Sequence, residues 1–208
     1  MPGLSEDLGA LVEGTAGCSP YLHSLCLKER EWLPGVFSDP EAAFEALLKD
    51  VDDTPFDEAP PRLRRLKARV ALLVAMCDLG GVWDLEEVTH ALTRFADRAV
   101  RIALQAALLP ELRGGKIPGQ DESMVEEAAG MVVLAMGKMG AYELNYSSDI
   151  DLICLFDETR FDGDAYHEAR MFLALPPYLH SSCLPTCRCM SAKSALPCNR
   201  RLPATPRR

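Results

Sequence analysis

Apolar residues recur every three to four positions through the first half of the chain, and that spacing predicts a helical region over residues 1–120. Asp39-Pro40 is a helix start, with proline in the first turn and Phe44, Leu47 and Leu48 on one face. A second helix opens at Pro61 and runs through Leu63, Leu66, Val70, Leu73 and Ala75 until Gly80-Gly81 ends it. Asp84, with Glu87 three residues later, resembles a capping box. The helix that follows carries Val88, Leu92, Phe95, Ala99, Ile102, Ala103 and Ala106 as one stripe, and Pro110 is expected to close it. Residues 111–127 read as a polar linker, and no internal repeat is visible.

The pattern then changes. Residues 131–136 form a short apolar run bounded by glycine, which predicts a buried strand. Gly137-Lys138-Met139-Gly140 reads as a turn and residues 141–146 as one or two helical turns. Ser147-Ser148 leads into a second strand over residues 150–156. The expected fold class is α+β, a helical bundle to about residue 110 and then two adjacent strands.

Composition bounds the function. A 208-residue chain holds one domain or two small ones, and 48% hydrophobic residues allow a sizeable core. The charge of −9 opposes general nucleic-acid binding, which needs Lys and Arg to displace counterions, and opposes an anionic membrane surface. The first twenty residues lack a basic start and a long apolar run, so no secretory signal is read. The longest apolar run, from Val70 to Cys77, is far short of the ~20 residues that span a bilayer. The expected location is the cytoplasm. Cys18, Cys26, Cys77 and Cys154 lie scattered in apolar stretches and read as buried, reduced core residues. Arg62, Arg64, Arg65, Lys67 and Arg69 form a basic cluster that reads as a solvated helix face rather than a docking site for an acidic partner.

A break falls near residue 171. Residues 1–170 hold 16 basic and all 31 acidic side chains, a balance of −15, whereas the last 38 residues carry six basic and no acidic ones. Those 38 also hold 6 of the 15 prolines and four of the eight cysteines, and helical and strand periodicity stop there. Residues 172–208 therefore read as a low-complexity basic tail, non-native or disordered, of the kind a frame shift near Met171 would give. The alternatives are a genuine basic tail, and a small zinc site from His180, Cys183, Cys187 and Cys189. That C-x3-C-x-C spacing lacks the usual paired C-x2-C.

The chemistry lies in the second strand. Asp149 and Asp151 sit two apart at its start, so both carboxylates face the same side, with Cα atoms about 6.6 Å apart at ~3.3 Å rise per residue. Like charges beside a core repel, and burial raises the cost. A divalent cation removes the conflict: Mg²⁺, with Mn²⁺ as a substitute, takes oxygen ligands and keeps substrate phosphate in its shell. Two metals about 3.5–4 Å apart would clamp the attacking and leaving oxygens of an in-line displacement. Gly137 and Gly140 let backbone N–H groups approach a phosphate, and Ser147 and Ser148 offer hydroxyl donors. Lys138 adds a positive charge or points to solvent. A lone D-x-D is more often a strand end capping a loop. The glycine turn, the Ser-Ser pair and the continuous apolar strand shift this one towards a metal site.

Gly137-Lys138 followed by Ser148-Asp149-Ile150-Asp151 resembles the nucleotidyltransferase superfamily of DNA polymerase beta, poly(A) polymerase and the antibiotic adenylyltransferases. The longer string "AMGKMGAYELNYSSDIDLICLFDE" resembles the bifunctional glutamine synthetase adenylyltransferase/adenylyl-removing family. So does "LRRLKARVALLVAMCDLGGVWDLEEVTHALTRFADRAV", and the likeness covers about residues 20–170. It implies a polymerase-beta-like nucleotidyltransferase core over residues 128–171, incomplete as it stands. It implies Asp149 and Asp151 as catalytic metal ligands, and Gly137, Ser147 and Ser148 as phosphate contacts. "ELNYSSDIDL" is closer to the amino-terminal half of that family, which implies phosphorolysis of an AMP-tyrosyl bond on glutamine synthetase to give ADP. The carboxyl-terminal half runs the reverse-sense chemistry with ATP. The implied partners are glutamine synthetase, an adenine nucleotide and phosphate, with a PII-type regulatory protein engaging regions outside this chain. The family's third carboxylate lies on a later strand, and no Asp or Glu follows Glu168. The chain is therefore expected to be a fragment that does not turn over alone. Two other readings stay open: a stand-alone nucleotidyltransferase on another substrate, and a non-catalytic interaction module.

Overall fold

The computed structural model describes residues 5–146, 148–157, 160 and 187–191. Two short helices come first, α1 (Glu6–Cys18) and α2 (Pro20–Lys28), each begun by a serine side chain that accepts an N–H of its first turn. A four-residue turn, α3 (Leu33–Val36), leads to α4 (Pro40–Asp52). There the Asp39 carboxylate accepts the Ala42 N–H at 2.9 Å, so the start read from Asp39-Pro40 is where the helix begins. Helix α5 (Ala59–Leu79) starts two residues before Pro61, since Pro60 and Pro61 both sit in a first turn whose N–H groups have no intrahelical partner. Helix α6 (Leu85–Arg113) opens with the complete capping box: Glu87 N–H donates to Asp84 at 2.9 Å and Asp84 N–H donates to Glu87 at 2.8 Å.

Helix α6 does not stop at Pro110. It runs on to Arg113 and ends at Gly114, whose N–H donates to the Pro110 carbonyl at 3.0 Å. A proline in the last turn forfeits only its own N–H bond, a small loss beside the burial of Leu108, Leu109 and Leu112. The stretch read as a polar linker is also packed. Ile117 and Val125 are buried, and Arg113 pairs with Glu122 at 2.8 Å.

Helix α5 is the axis of the bundle. Leu66, Val70, Leu73 and Cys77 face the main core with α4 and α6, whereas Leu72 and Met76 face a second cluster built from Val12, Leu25, Cys26 and Leu33. Burial on two sides explains the unbroken apolar run from Val70 to Cys77. Arg94 pairs with Glu45, and Arg98 and Arg101 both pair with Asp52, which ties α4 to α6 at the surface. Of the basic cluster on α5, Arg69 is not simply solvated: it pairs with Glu29 at 2.7 Å and lies 5.2 Å over the Trp32 ring.

Among the described residues three strands follow: β1 (Met131–Met136), β2 (Ile150–Phe156) and β3 (Cys187–Ser191), in the order β1-β2-β3. The limits of β1 and β2 are those read from the sequence. They pair antiparallel, from Met131 opposite Phe156 to Met136 opposite Asp151. The sheet turns Met131, Ile150, Leu152 and Cys154 to the helices. Its other face is open: Val132, Leu134 and Met136 are exposed, so β1 is half-buried rather than buried, because only one side meets the bundle. Strand β3, where no strand was expected, pairs parallel to β2 with Ile150 opposite Cys187. A strand edge offers backbone donors and acceptors to any extended segment, so this pairing leaves little mark in the sequence. The rest of the tail, including His180 and Cys183 of the zinc reading, lies outside the described residues.

Among the scattered cysteines Cys26, Cys77 and Cys154 are buried, but Cys18 is exposed at the end of α1, against expectation. Burial, with Glu41 and Glu87 nearby, pushes the Cys77 thiol up to about 12. Among the described residues no helix is long and apolar enough to cross a membrane.

Candidate functional site

The site forms where β1 turns back into β2. Gly137 leaves β1 with a positive φ of 57° and opens a single helical turn, α7 (Gly137–Gly140). This is the helical element of the loop; residues 141–146, read as helical turns, contain none. Gly140 is required by closeness. A Cβ there would lie 2.4 Å from the Ala135 carbonyl oxygen, so α7 is folded hard against β1. Met139, in the same turn, is buried in the main core. The turn ends with Glu143 N–H on the Lys138 carbonyl at 2.8 Å and Tyr142 N–H on Met139 at 3.2 Å. This is the double bond pattern of a helix end whose terminal residue is left-handed, and Tyr142 supplies that residue at φ 62°.

The chain then runs along the bundle, fixed at alternate residues. The Tyr142 hydroxyl donates to Asp97 at 3.1 Å. The Leu144 N–H donates to the hydroxyl of Thr93 at 3.3 Å, and Thr93 is fully buried on α6. The Tyr146 hydroxyl donates to Asp78 on α5 at 2.8 Å. Burial raises the Asp97 carboxyl while the Tyr142 bond pulls it back down. Burial and Asp78 raise the Tyr146 phenol, which stays protonated. Asp78, Thr93, Asp97, Tyr142 and Tyr146 were not singled out from the sequence. The one available signal was a set of polar residues interrupting apolar helical stripes.

Ser148 is half-buried, its hydroxyl on the Asn145 side-chain oxygen; Ser147 lies outside the described residues. Asp149 stands one residue ahead of β2 and Asp151 is the second residue of that strand; both are exposed. Asp151 shares the open face of the sheet with Met136, its cross-strand partner, while Ile150 and Leu152 point to the core. The expectation that burial would aggravate the charge pair is corrected: strand alternation carries Asp151 away from the core. A Cβ on Gly137 would lie 3.8 Å from the Asp151 Oδ2, so the structure brings those two positions together. Lys138 is exposed at the surface of α7. Among the described residues no three His, Cys, Asp or Glu side chains gather as a metal cluster. A cavity of about 560 Å³ opens on the opposite, helix side of β2, between Val70, Ala75, Phe95, Leu144, Tyr146 and Ile150.

Fold and site together define an α+β protein in which a helical bundle carries a small sheet with two surface aspartates at the head of its second strand. Residues 15–175 match the family model described as glutamate-ammonia ligase adenylyltransferase, and the chain belongs to that family. It is 43% identical over 157 residues to the bifunctional glutamine synthetase adenylyltransferase/adenylyl-removing enzyme of Rhodopseudomonas palustris, covering 73% of this chain and 16% of that protein. The same-named proteins of Bradyrhizobium diazoefficiens and Caulobacter vibrioides are 45% and 40% identical over 71% and 72% of this chain. The chain thus spans about 16% of the length of the curated relatives it matches. No solved structure matches it.

Proposed function

We propose that this chain is part of a metal-dependent nucleotidyltransferase of the cytoplasm that regulates glutamine synthetase by removing, or adding, AMP on a tyrosine. The observation that carries the reading is the Asp149–Asp151 pair at the head of β2, beside the Gly137 turn, inside the segment that matches the family. Two exposed carboxylates next to a glycine backbone make a hard, all-oxygen donor set open to phosphate, which suits Mg²⁺ or Mn²⁺. Asp149 and Asp151 would hold the ion, which when bound supplies charge neutralisation and polarises the phosphoryl group. Gly137, Lys138, Ser147 and Ser148 are the candidate phosphate contacts.

In the removing direction a phosphate oxygen attacks the phosphorus of the AMP-tyrosine diester. The bond from phosphorus to the tyrosine oxygen breaks, the phosphate proton passes to the phenolate, and the products are ADP and free tyrosine. The polymerase-beta-like core, the adenine nucleotide and phosphate as substrates, and a PII-type regulator engaging the longer protein belong to the same proposal.

Titration of the 208-residue chain with Mn²⁺, followed by the loss of the free-ion paramagnetic signal, tests it. Asp149→Asn and Asp151→Asn should each weaken binding by about tenfold or more, the equivalent of ~1.4 kcal/mol. Asp50→Asn, on the distant α4, should not. Equal affinity in wild type and both site variants would refute the metal reading.

A further inference from the structure

The loop that leads to the aspartates is built at a cost. A helix end of the kind that closes α7 normally places glycine in the left-handed position, because a Cβ there crowds the backbone. Position 142 holds tyrosine instead, at φ 62°. The residue is 43% exposed, so burial does not explain the choice. What the side chain does is reach α6: the hydroxyl donates to Asp97 at 3.1 Å, and the ring stands edge-on to His90, centroids 5.5 Å apart at 87°. Four residues on, Tyr146 repeats the device on α5, donating to Asp78 at 2.8 Å. Between them the Leu144 N–H is held by Thr93.

These anchors flank the candidate metal site in the chain. Tyr142 closes the helical turn whose first residue, Gly137, faces Asp151 across 3.8 Å, measured from the Cβ that glycine lacks. Tyr146 lies three residues before Asp149. The helical bundle therefore supplies two fixed points, one for the turn and one for the strand head.

We propose that Tyr142 with Asp97, and Tyr146 with Asp78, are positioning residues that set the separation of Asp149 from the Gly137–Asp151 corner. The bundle thereby tunes the metal affinity of the sheet edge that packs on it through Ile150 and Leu152. The inference rests on the metal reading above.

The test separates positioning from stability. Tyr142→Gly relieves the left-handed strain but gives up the Asp97 and His90 contacts, two effects of similar size, so the chain stays folded and a purely structural role predicts unchanged Mn²⁺ binding below the melting transition. Positioning predicts a folded chain with Mn²⁺ affinity lowered about tenfold. Tyr142→Phe and Tyr146→Phe, which keep the rings and lose only the hydroxyls, should each lower affinity by a smaller factor, about threefold. Tyr142→Gly binding Mn²⁺ within about twofold of wild type, while Asp149→Asn abolishes binding, would overturn this inference alone. A loss of affinity that only tracks a loss of folded protein in all three variants would overturn it too. A wild-type chain that takes up no Mn²⁺, or takes it up independently of Asp149, would overturn the metal reading and this inference with it.

Discussion

Replacing Gly140 by alanine is the most direct challenge to the way α7 is seated. The new Cβ would lie 2.4 Å from the Ala135 carbonyl oxygen and 3.1 Å from its carbon. Both are backbone atoms of β1, held by the pairing of Ala135 with Leu152, so no side chain can swing aside. Restoring an ordinary contact of ~3.5 Å requires α7 to lift from β1 by about 1 Å. Overpacking of this kind costs ~1–3 kcal/mol. Alanine recovers part of that through helix propensity, at most ~1 kcal/mol, and less in a single turn. A net loss of about 1–2 kcal/mol corresponds to a fall of roughly 2–8 °C in melting temperature for a chain of this size. Thermal unfolding followed by circular dichroism at 222 nm measures it. Two comparators make the cause specific. Gly14→Ala, in α1 with open space at its Cβ, should stabilise by ~0.4–1 kcal/mol. At Gly137, where the nearest atom is 3.8 Å away and φ is 57°, asparagine should be tolerated better than alanine, because there the difficulty is conformation and not space. Gly140→Ala melting at or above the wild-type temperature would show that α7 does not pack on β1 as described.

In a longer polypeptide carrying this segment, Asp149→Asn should abolish ADP release from adenylylated glutamine synthetase, phosphate and Mg²⁺; a rate within about tenfold of wild type at limiting Mg²⁺ would take the residue out of the mechanism. Thr93→Val leaves the buried Leu144 N–H without its acceptor and should cost ~1–3 kcal/mol in urea unfolding, and an unchanged midpoint would mean that the loop finds another partner. The Cys77 thiol, raised from its ordinary 9.0 to about 12, keeps its proton in the folded chain at pH values where the unfolded chain has lost it. Its contribution is therefore fully present below pH 9 and is lost as pH rises towards 12, with a slope approaching ~1.4 kcal/mol per pH unit. Urea midpoints at several alkaline pH values should fall less steeply in Cys77→Ala than in wild type, and equal slopes would dismiss burial of the thiol as the cause.

Much of this protein was legible from the sequence because the rules involved act over a few residues. The Asp39 and Asp84 caps, the glycine stops and the limits of β1 and β2 all depend on neighbours within about four positions, and the structure places them where the pattern does. The D-x-D pair and the glycine turn were visible for the same reason. What could not be read is what lies across from each element. An apolar run says that β1 has two hydrophobic faces, but only the bundle decides that one of them is left open. Cys18 sits among apolar residues yet is exposed, because α1 packs through its other side. Pro110 is a local stop signal overridden by burial of the leucines around it. Strand β3 follows from a free sheet edge rather than from its own side-chain pattern. The anchors of the site loop, Asp97, Thr93 and Asp78, are 45, 51 and 68 residues from their partners. A hydrogen bond between residues that distant exists only once the whole bundle has brought α5 and α6 alongside the sheet. Local chemistry therefore specifies the carboxylates, and tertiary packing alone specifies what holds them in place.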